Sequence, residues 1–387
     1  MRKTSEELNE LQNKLGTDRL WSWSRINCVH NSLYEYYLKY ILREKEDRTD
    51  SIYTVTGGMC HQIIEDFYSG KISKEQMIED FNDSWITAFD ISDLKFNRSD
   101  SEKNNSLADT YYKNLEHFFR HHKVIDKKLA LEQFVSVKIG DEYLQGYIDA
   151  MMIDDDKNYN IIDWKSSSIY KGDKALNECG QLVVYALALN QKGIPLDKIK
   201  ICWNFLKYCN VTVFMKNGTS KVRQIERNKI GESLQANCKT WLKNFGYSED
   251  DIFKYLDELV QTNSIECLPE EVQEKYIFDD CYVYVDLADE LVKKWTDYII
   301  ETTALIREKE LEYEKNHDEN IWMESQEEVS NNSYYFANLC SYSANKHKPY
   351  KIYLENLEKE KNGDIFGNVI NKQSTEDEDD MSWLNDL

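Results

Sequence analysis

The chain has 387 residues, 41% of them apolar, which is enough to bury a sizeable core in one large domain or two ordinary ones and excludes an intrinsically disordered chain. Its net charge of -22 excludes broad, non-specific adhesion to nucleic acid or to an anionic membrane, so any nucleic-acid site must be a local groove. Nine irregularly spaced cysteines without a CxxC suit reduced thiols in a cytoplasm. The polar start MRKTSEELNELQNKLG lacks a signal-peptide core, and no run approaches the roughly 18 apolar residues of a membrane span, so no membrane association is expected.

In chain order, residues 1–50 read as helices, with Trp21, Ile26, Leu33, Tyr36, Tyr37 and Ile41 at helical spacing. A further amphipathic helix is expected over 57–70, entered through Gly57-Gly58, and helices continue over 74–125 around a polar loop at 97–106. The period then changes to that of strands: LEQFVSVKI, YLQGYIDAMMI and NYNIIDWKS, joined by turns at Gly140–Glu142 and Asp154–Lys157. Residues 175–192 return to helical spacing, and two more strands are expected near 198–207 and 210–216. Helices are expected again over 220–245, 249–263 and 281–316. The expected fold is α/β (α+β), a central mixed sheet flanked by helices. It divides into a helical region 1–130, a sheet core 131–220, a helical region 221–361 and an acidic, disordered tail 362–387. The five acids Glu376–Asp380, followed by Met381, Trp383, Leu384 and Leu387, suit docking on a single-strand-binding or other replication or recombination protein, or a solubilising tail.

The chemistry centres on DWK. Strand alternation puts Asp163 and Lys165 on one face and Trp164 on the other. A hairpin turning at Asp154–Lys157 brings Asp149 alongside Asp163. Two carboxylates held this close favour a divalent cation such as Mg²⁺ between them. A lysine beside it can orient or deprotonate water, or stabilise a charged phosphorane. A lone D-x-K recurs by chance, so its weight comes from its surroundings.

Those surroundings resemble the PD-(D/E)XK nuclease superfamily, and more narrowly its RecB/AddB-like and CRISPR-associated RecB-like exonucleases and their phage relatives. The likeness lies in an ordered series: SWSRINCVHNSLYEYYLKYI (22–41), GGMCHQIIEDFY (57–68), LEQFVSVKI, GYID, IIDWKSSS, GQLVVYALAL (180–189) and WNFLKY (203–208), with a weaker echo near 335–350. The resemblance implies a restriction-endonuclease-like fold and a Mg²⁺- or Mn²⁺-dependent deoxyribonuclease, an exonuclease of the recombination or repair type acting in a bacterial or phage-infected cytoplasm. It implies Asp149, Asp163, His61 and the Trp164 carbonyl as metal ligands and Lys165 as the catalytic lysine. Glu65, one helical turn after His61, is expected to orient it. Glu132 is expected as a supporting acid, and Gln181 and Tyr185, four apart on a helix, as a face toward DNA and the active site. Lys171, Lys174, Lys207, Arg223 and Arg227 are candidate phosphate contacts.

Many members of the resembled branch carry an iron–sulfur cluster on four cysteines. Here Cys28 and Cys340 match two of the positions, while Ala337 and Lys346 stand at two others. Four thiolates are the usual requirement, so no cluster is expected. No GxxxxGK[ST] occurs, so no ATP site is expected. The acidity keeps an alternative open: a non-catalytic nuclease-fold subunit, or a phage inhibitor of host machinery.

Overall fold

A computed structural model describes residues 2–49 and 51–364; the acidic run and apolar tip of the tail lie outside the described residues. Seven strands build one mixed sheet: β1 (Leu20–Ser22), β2 (Ala130–Ile139), β3 (Glu142–Ile153), β4 (Tyr159–Lys165), β5 (Ile199–Phe214), β6 (Ser220–Glu226) and β7 (Tyr276–Val285). The order runs β1-β3-β4-β5-β6, with β2 also on β3 and β7 also on β5. β3 lies antiparallel to β2 and β4, β4 runs parallel to β5, and β5 is antiparallel to β6 and β7. The mixed α/β architecture is the one expected of a restriction-endonuclease-like fold.

The expected hairpins form where turn chemistry places them. Gly140 takes a φ of +60° between β2 and β3, and Lys157 a φ of +62° between β3 and β4. Asp154 fixes the second turn by accepting from the Asn158 backbone N–H at 2.8 Å.

Each face of the sheet is covered by helices that bury apolar stripes against it. One face packs the helix Gly180–Gln191 and the long helix Asp289–Asn316 over Ile161, Trp203 and Phe205. The other packs Ile52–Tyr68, Lys74–Trp85 and Ser101–His121 over Ala150, Ile162 and Trp164. A third apolar cluster lies beneath the helices Ile230–Phe245 and Glu249–Thr262, against the far end of β5.

Several expected elements differ. The first fifty residues are not all helical, because Leu20–Ser22 forms β1, parallel to β3. The helix expected over 57–70 starts at Ile52, not at Gly57, because Ile52 and Thr56 already lie on its buried stripe with Cys60 and Ile63. The two strands expected over 198–216 are one sixteen-residue strand, β5, with an irregularity between Asn204 and Cys209 that lets it continue along β7. Residues 220–226 form β6 rather than a helix, and 276–285 form β7 where a helix was expected to begin at 281. The alternating Tyr and Val residues of YIFDDCYVYV suit a strand, and the helix starts at Asp289.

Candidate active site

His61 projects from the helix Ile52–Tyr68, Asp149 from β3, and Asp163 and Lys165 from β4. Together with Gln181 and Tyr185 they line one cleft of about 550 Å³. The register Ala150↔Ile162, continued by one step, sets Asp149 opposite Asp163. On its other side Asp149 faces Glu132, because Leu131 pairs with Ala150 and Gln133 with Ile148. Glu132 has a φ of +46°, a left-handed conformation costly for a side chain of its size. The kink breaks the ladder beside Asp149.

Asp163 is 2% exposed, and its Oδ2 lies 2.8 Å from Lys165 Nζ. That approach lacks hydrogen-bond geometry, so Oδ2 is buried with ion-pair contact alone. Burial, the largest single influence, pulls the Lys165 ammonium down, but Asp163, Tyr170 and Asp149 together outweigh it and the net shift is upward. Lys165 therefore keeps its proton. Asp149 moves the other way: burial, then the neighbouring Asp163 charge, push its carboxyl up to about 7.

His61 bridges the two strands. Its Nε2 lies 2.6 Å from the Trp164 carbonyl, and its Nδ1 lies 3.4 Å from Asp149 Oδ2. A carbonyl can only accept, so Nε2 carries the hydrogen. The Trp164 backbone N–H also donates to Asp149 Oδ2, at 3.4 Å. Neither ring nitrogen of His61 bonds Glu65, contrary to the expected orienting role; Glu65 lines an adjoining cavity with His61, Glu132 and Arg2.

Gln181 Nε2 donates to Tyr185 Oη at 2.8 Å. Burial raises the Tyr185 phenol, so it too keeps its proton, with its own O–H free to donate elsewhere. The ring needs Gly146: a Cβ there would meet Tyr185 Cε1 at 2.8 Å.

The expected phosphate contacts divide. Lys171 is exposed, and Lys174 Nζ lies 5.2 Å from the ring centroid of Tyr170, which lines the cleft. Lys207 and Arg227 are only 3% and 2% exposed, which does not suit a phosphate contact. Lys207 lies over the Tyr111 ring at 3.8 Å, and burial pulls its ammonium down to about 8. Arg227 pairs with Asp280 at 2.7 Å and donates to the Leu206 carbonyl. Arg223, on β6, donates to the Ser233 carbonyl at 2.6 Å. Cys28 and Cys340 pack in the same apolar cluster, near the buried Glu35, which accepts from the Tyr335 hydroxyl and the Ser341 N–H.

Sequence reasoning missed Arg2, whose Nε donates to Glu132 at 2.9 Å and whose guanidinium lies 5.5 Å from the Tyr147 ring centroid at the cleft. It also missed Trp23, Gln145, Tyr170 and Glu178 in the cleft lining. Arg2, Trp23 and Glu178 reach the cleft from stretches of chain that no local pattern joins to it, whereas alternation along β3 places Gln145 on the same face as Asp149.

Among the described residues, no three His, Cys, Asp or Glu side chains are gathered into a ready-made metal site. The donor set nevertheless fits a hard divalent cation. It offers a buried carboxylate oxygen without a hydrogen bond, a second carboxylate opposite it, a backbone carbonyl and an imidazole. Gathering them around an ion requires Asp149 to give up its proton, which couples binding to pH.

No curated protein matches the chain. A solved structure described as "Crystal structure of SSO0001" is 11% identical, covering 60% of this chain and 84% of its own, with a TM-score of 0.17 that is too low to speak for the fold. No helix of the described residues is long and apolar enough to cross a membrane. The family model of the PD-(D/E)XK nuclease superfamily matches residues 20–328, most of the chain. The chain belongs to the PD-(D/E)XK nuclease superfamily.

Proposed function

We propose that the protein is a divalent-metal-dependent DNA nuclease, an exonuclease of the recombination or repair type. One observation carries the reading: His61, Asp149, Asp163 and Lys165, drawn from a helix and two strands, line a single cleft with Gln181 and Tyr185. Asp149, Asp163, His61 and the Trp164 carbonyl would hold Mg²⁺ or Mn²⁺, which when bound acts as a Lewis acid and lowers the pKa of its water. Lys165, kept charged by Asp163, stabilises the negative charge that builds on the phosphoryl oxygens rather than accepting a proton. Tyr185, with Gln181 donating to its oxygen, offers its own O–H to a phosphate oxygen. Water attacks phosphorus in line as the P–O bond on the opposite side breaks, the attacking water gives up a proton to solvent, the leaving oxygen takes one up, and no protein atom bonds to phosphorus.

The exonuclease assignment rests on the ordered likeness of the sequence motifs, the cytoplasmic setting of a bacterium or phage-infected host on that likeness and on the cysteine pattern, and a partner for the acidic tail on the run Glu376–Asp380 and the apolar residues after it. The net charge of -22 favours a second reading, a nuclease-fold subunit or inhibitor without catalysis. End-labelled linear DNA and closed circular DNA, each incubated with Mg²⁺, Mn²⁺ or EDTA, separate the readings. Metal-dependent loss of linear substrate alone supports the exonuclease. Cutting of closed circles replaces it with an endonuclease, and no cleavage with either metal favours the second reading.

A further inference from the structure

A second cavity of about 530 Å³ adjoins the catalytic cleft, and the two share Arg2 and His61 in their linings. Gly57 and Gly58 of the helix Ile52–Tyr68 form one wall of it, and Glu65 and Glu132 set two carboxylates on it. A Cβ at Gly58 would meet no atom within 4 Å, so this wall is bare helix backbone facing open space. A strand leaving the scissile position through this side passes both the bare wall and the Arg2 guanidinium.

Arg2 is held in place from several directions. Lys3 donates its backbone N–H to the Tyr147 hydroxyl at 2.6 Å. Thr4 then caps the helix Ser5–Leu15, its side chain accepting from the Glu7 N–H and its own N–H donating to the Glu7 carboxylate. The Arg2 guanidinium lies 5.5 Å from the Tyr147 ring centroid and donates from Nε and Nη2 to the two oxygens of Glu132, at 2.9 and 3.4 Å. A guanidinium carries five N–H donors, and Glu132 engages two of them. Among the described residues no other acceptor is bonded to Arg2, whose side chain is 74% exposed.

A polyanion needs a cation at this point. Without Arg2, Glu65 and Glu132 would set two carboxylates against it, on a chain of net charge -22. The cleft lining's other Arg or Lys side chain, Lys165, is committed to Asp163 at 2.8 Å. A guanidinium is planar, forked and always charged, which suits phosphate oxygens, and one already tied to a carboxylate has little freedom left to lose on binding.

Resting on the nuclease reading above, we propose that Arg2 is a substrate-binding residue, gripping a backbone phosphate next to the scissile one where the DNA strand passes from the catalytic cleft into the cavity walled by Gly57 and Gly58. The full chain is tested by fluorescence anisotropy in EDTA over a range of salt, and by steady-state cleavage in Mn²⁺. The probes are a labelled oligothymidylate and a labelled duplex of equal length. Arg2→Ala should weaken binding of the better probe by about 5- to 30-fold. It should also flatten the slope of log affinity against log salt by about 0.7 for a single strand or about 0.9 for a duplex, the loss of one phosphate contact. In cleavage the loss should fall on KM rather than on kcat. Arg2→Lys keeps the charge but not the fork, and should restore only part of the loss. Lys3→Ala removes the same charge one residue on, where Nζ lies over the Phe134 ring and pairs with Glu7 outside both linings, and should cost less than about twofold. Gly58→Leu, which builds into the second cavity, should weaken binding as well.

Wild-type affinity and KM in Arg2→Ala, or equal losses in Arg2→Ala and Lys3→Ala, overturn the proposal. Wild-type affinity in Gly58→Leu overturns the path through the second cavity, and a wild type that neither binds nor cleaves either probe overturns the whole. Metal-dependent cleavage that is indifferent to Arg2 leaves the nuclease standing and removes this contact. Arg2-dependent binding by a wild type that cleaves nothing keeps the contact and removes the nuclease.

Discussion

Replacing Asp149 with Asn should stabilise the metal-free protein, and increasingly so as pH rises. Asp149 has its carboxyl raised from an ordinary 3.8 to about 7, first by burial and then by the Asp163 charge. A raised carboxyl favours the protonated form in the folded state. Its contribution is fully present below about 3.8 and is lost as pH climbs through about 7. The interval from 3.8 to about 7, at about 1.4 kcal/mol per pH unit, is worth about 4 kcal/mol. Asp149→Asn keeps the shape and removes the titration. Urea unfolding of wild type and variant in EDTA, from pH 4.5 to 8.5, should show the variant gaining about 2–4 kcal/mol relative to wild type across that range. Saturating Mn²⁺ should then favour wild type: a ligand at about 100 times its Kd adds about 2.7 kcal/mol to the protein that binds it. A stability difference that stays flat with pH refutes the electrostatic reasoning. Equal stabilisation of both proteins by Mn²⁺ refutes Asp149 as a ligand.

Arg227→Ala tests whether that residue serves the fold rather than DNA. Asp280 is 3% exposed and sits between Arg227 and His122, at 2.7 and 2.6 Å. Burial pushes its carboxyl up, but His122 and Arg227 together more than offset that and hold it below its ordinary value. Removing Arg227 should cost about 3–5 kcal/mol in urea unfolding near pH 7, with the deficit shrinking in acid as Asp280 is protonated, while cleavage per folded molecule in the cold is unchanged. A stable variant with weakened DNA binding would reverse that assignment. Gly146→Ala drives a methyl to 2.8 Å from the Tyr185 ring, whereas Gly57→Ala meets Ser166 Oγ at an ordinary 3.7 Å. The first should slow single-turnover cleavage and cost about 1–3 kcal/mol, and the second should do neither; equal effects would remove Tyr185 from the site.

The parts of this protein legible in its sequence were those with a local period. DWK on an alternating strand, a hairpin closed by Asp154–Asn158, and Gln181 and Tyr185 one turn apart each follow from spacing and turn chemistry. β6 was misread because SKVRQIE is short and charge-rich, and β7 because Asp279 and Asp280 interrupt its apolar alternation; both are anchored by pairing with β5. Charge alone also misled: Lys207 lies on β5 and Arg227 directly follows β6, yet both are buried against Tyr111 and Phe118 of the helix Ser101–His121, far away in the chain. The Glu132 kink, Arg2 and the place of Trp23 in the cleft lining depend on contacts that no window of sequence contains.

The most direct test compares wild type with Lys165→Ala, prepared side by side, in single-turnover digestion of end-labelled DNA with Mg²⁺ or Mn²⁺ and with EDTA. The variant should keep its fold by circular dichroism and lose the metal-dependent digestion that wild type shows. Equal digestion by both proteins, or digestion by wild type that persists in EDTA, would contradict the assignment of this cleft as the nuclease active site.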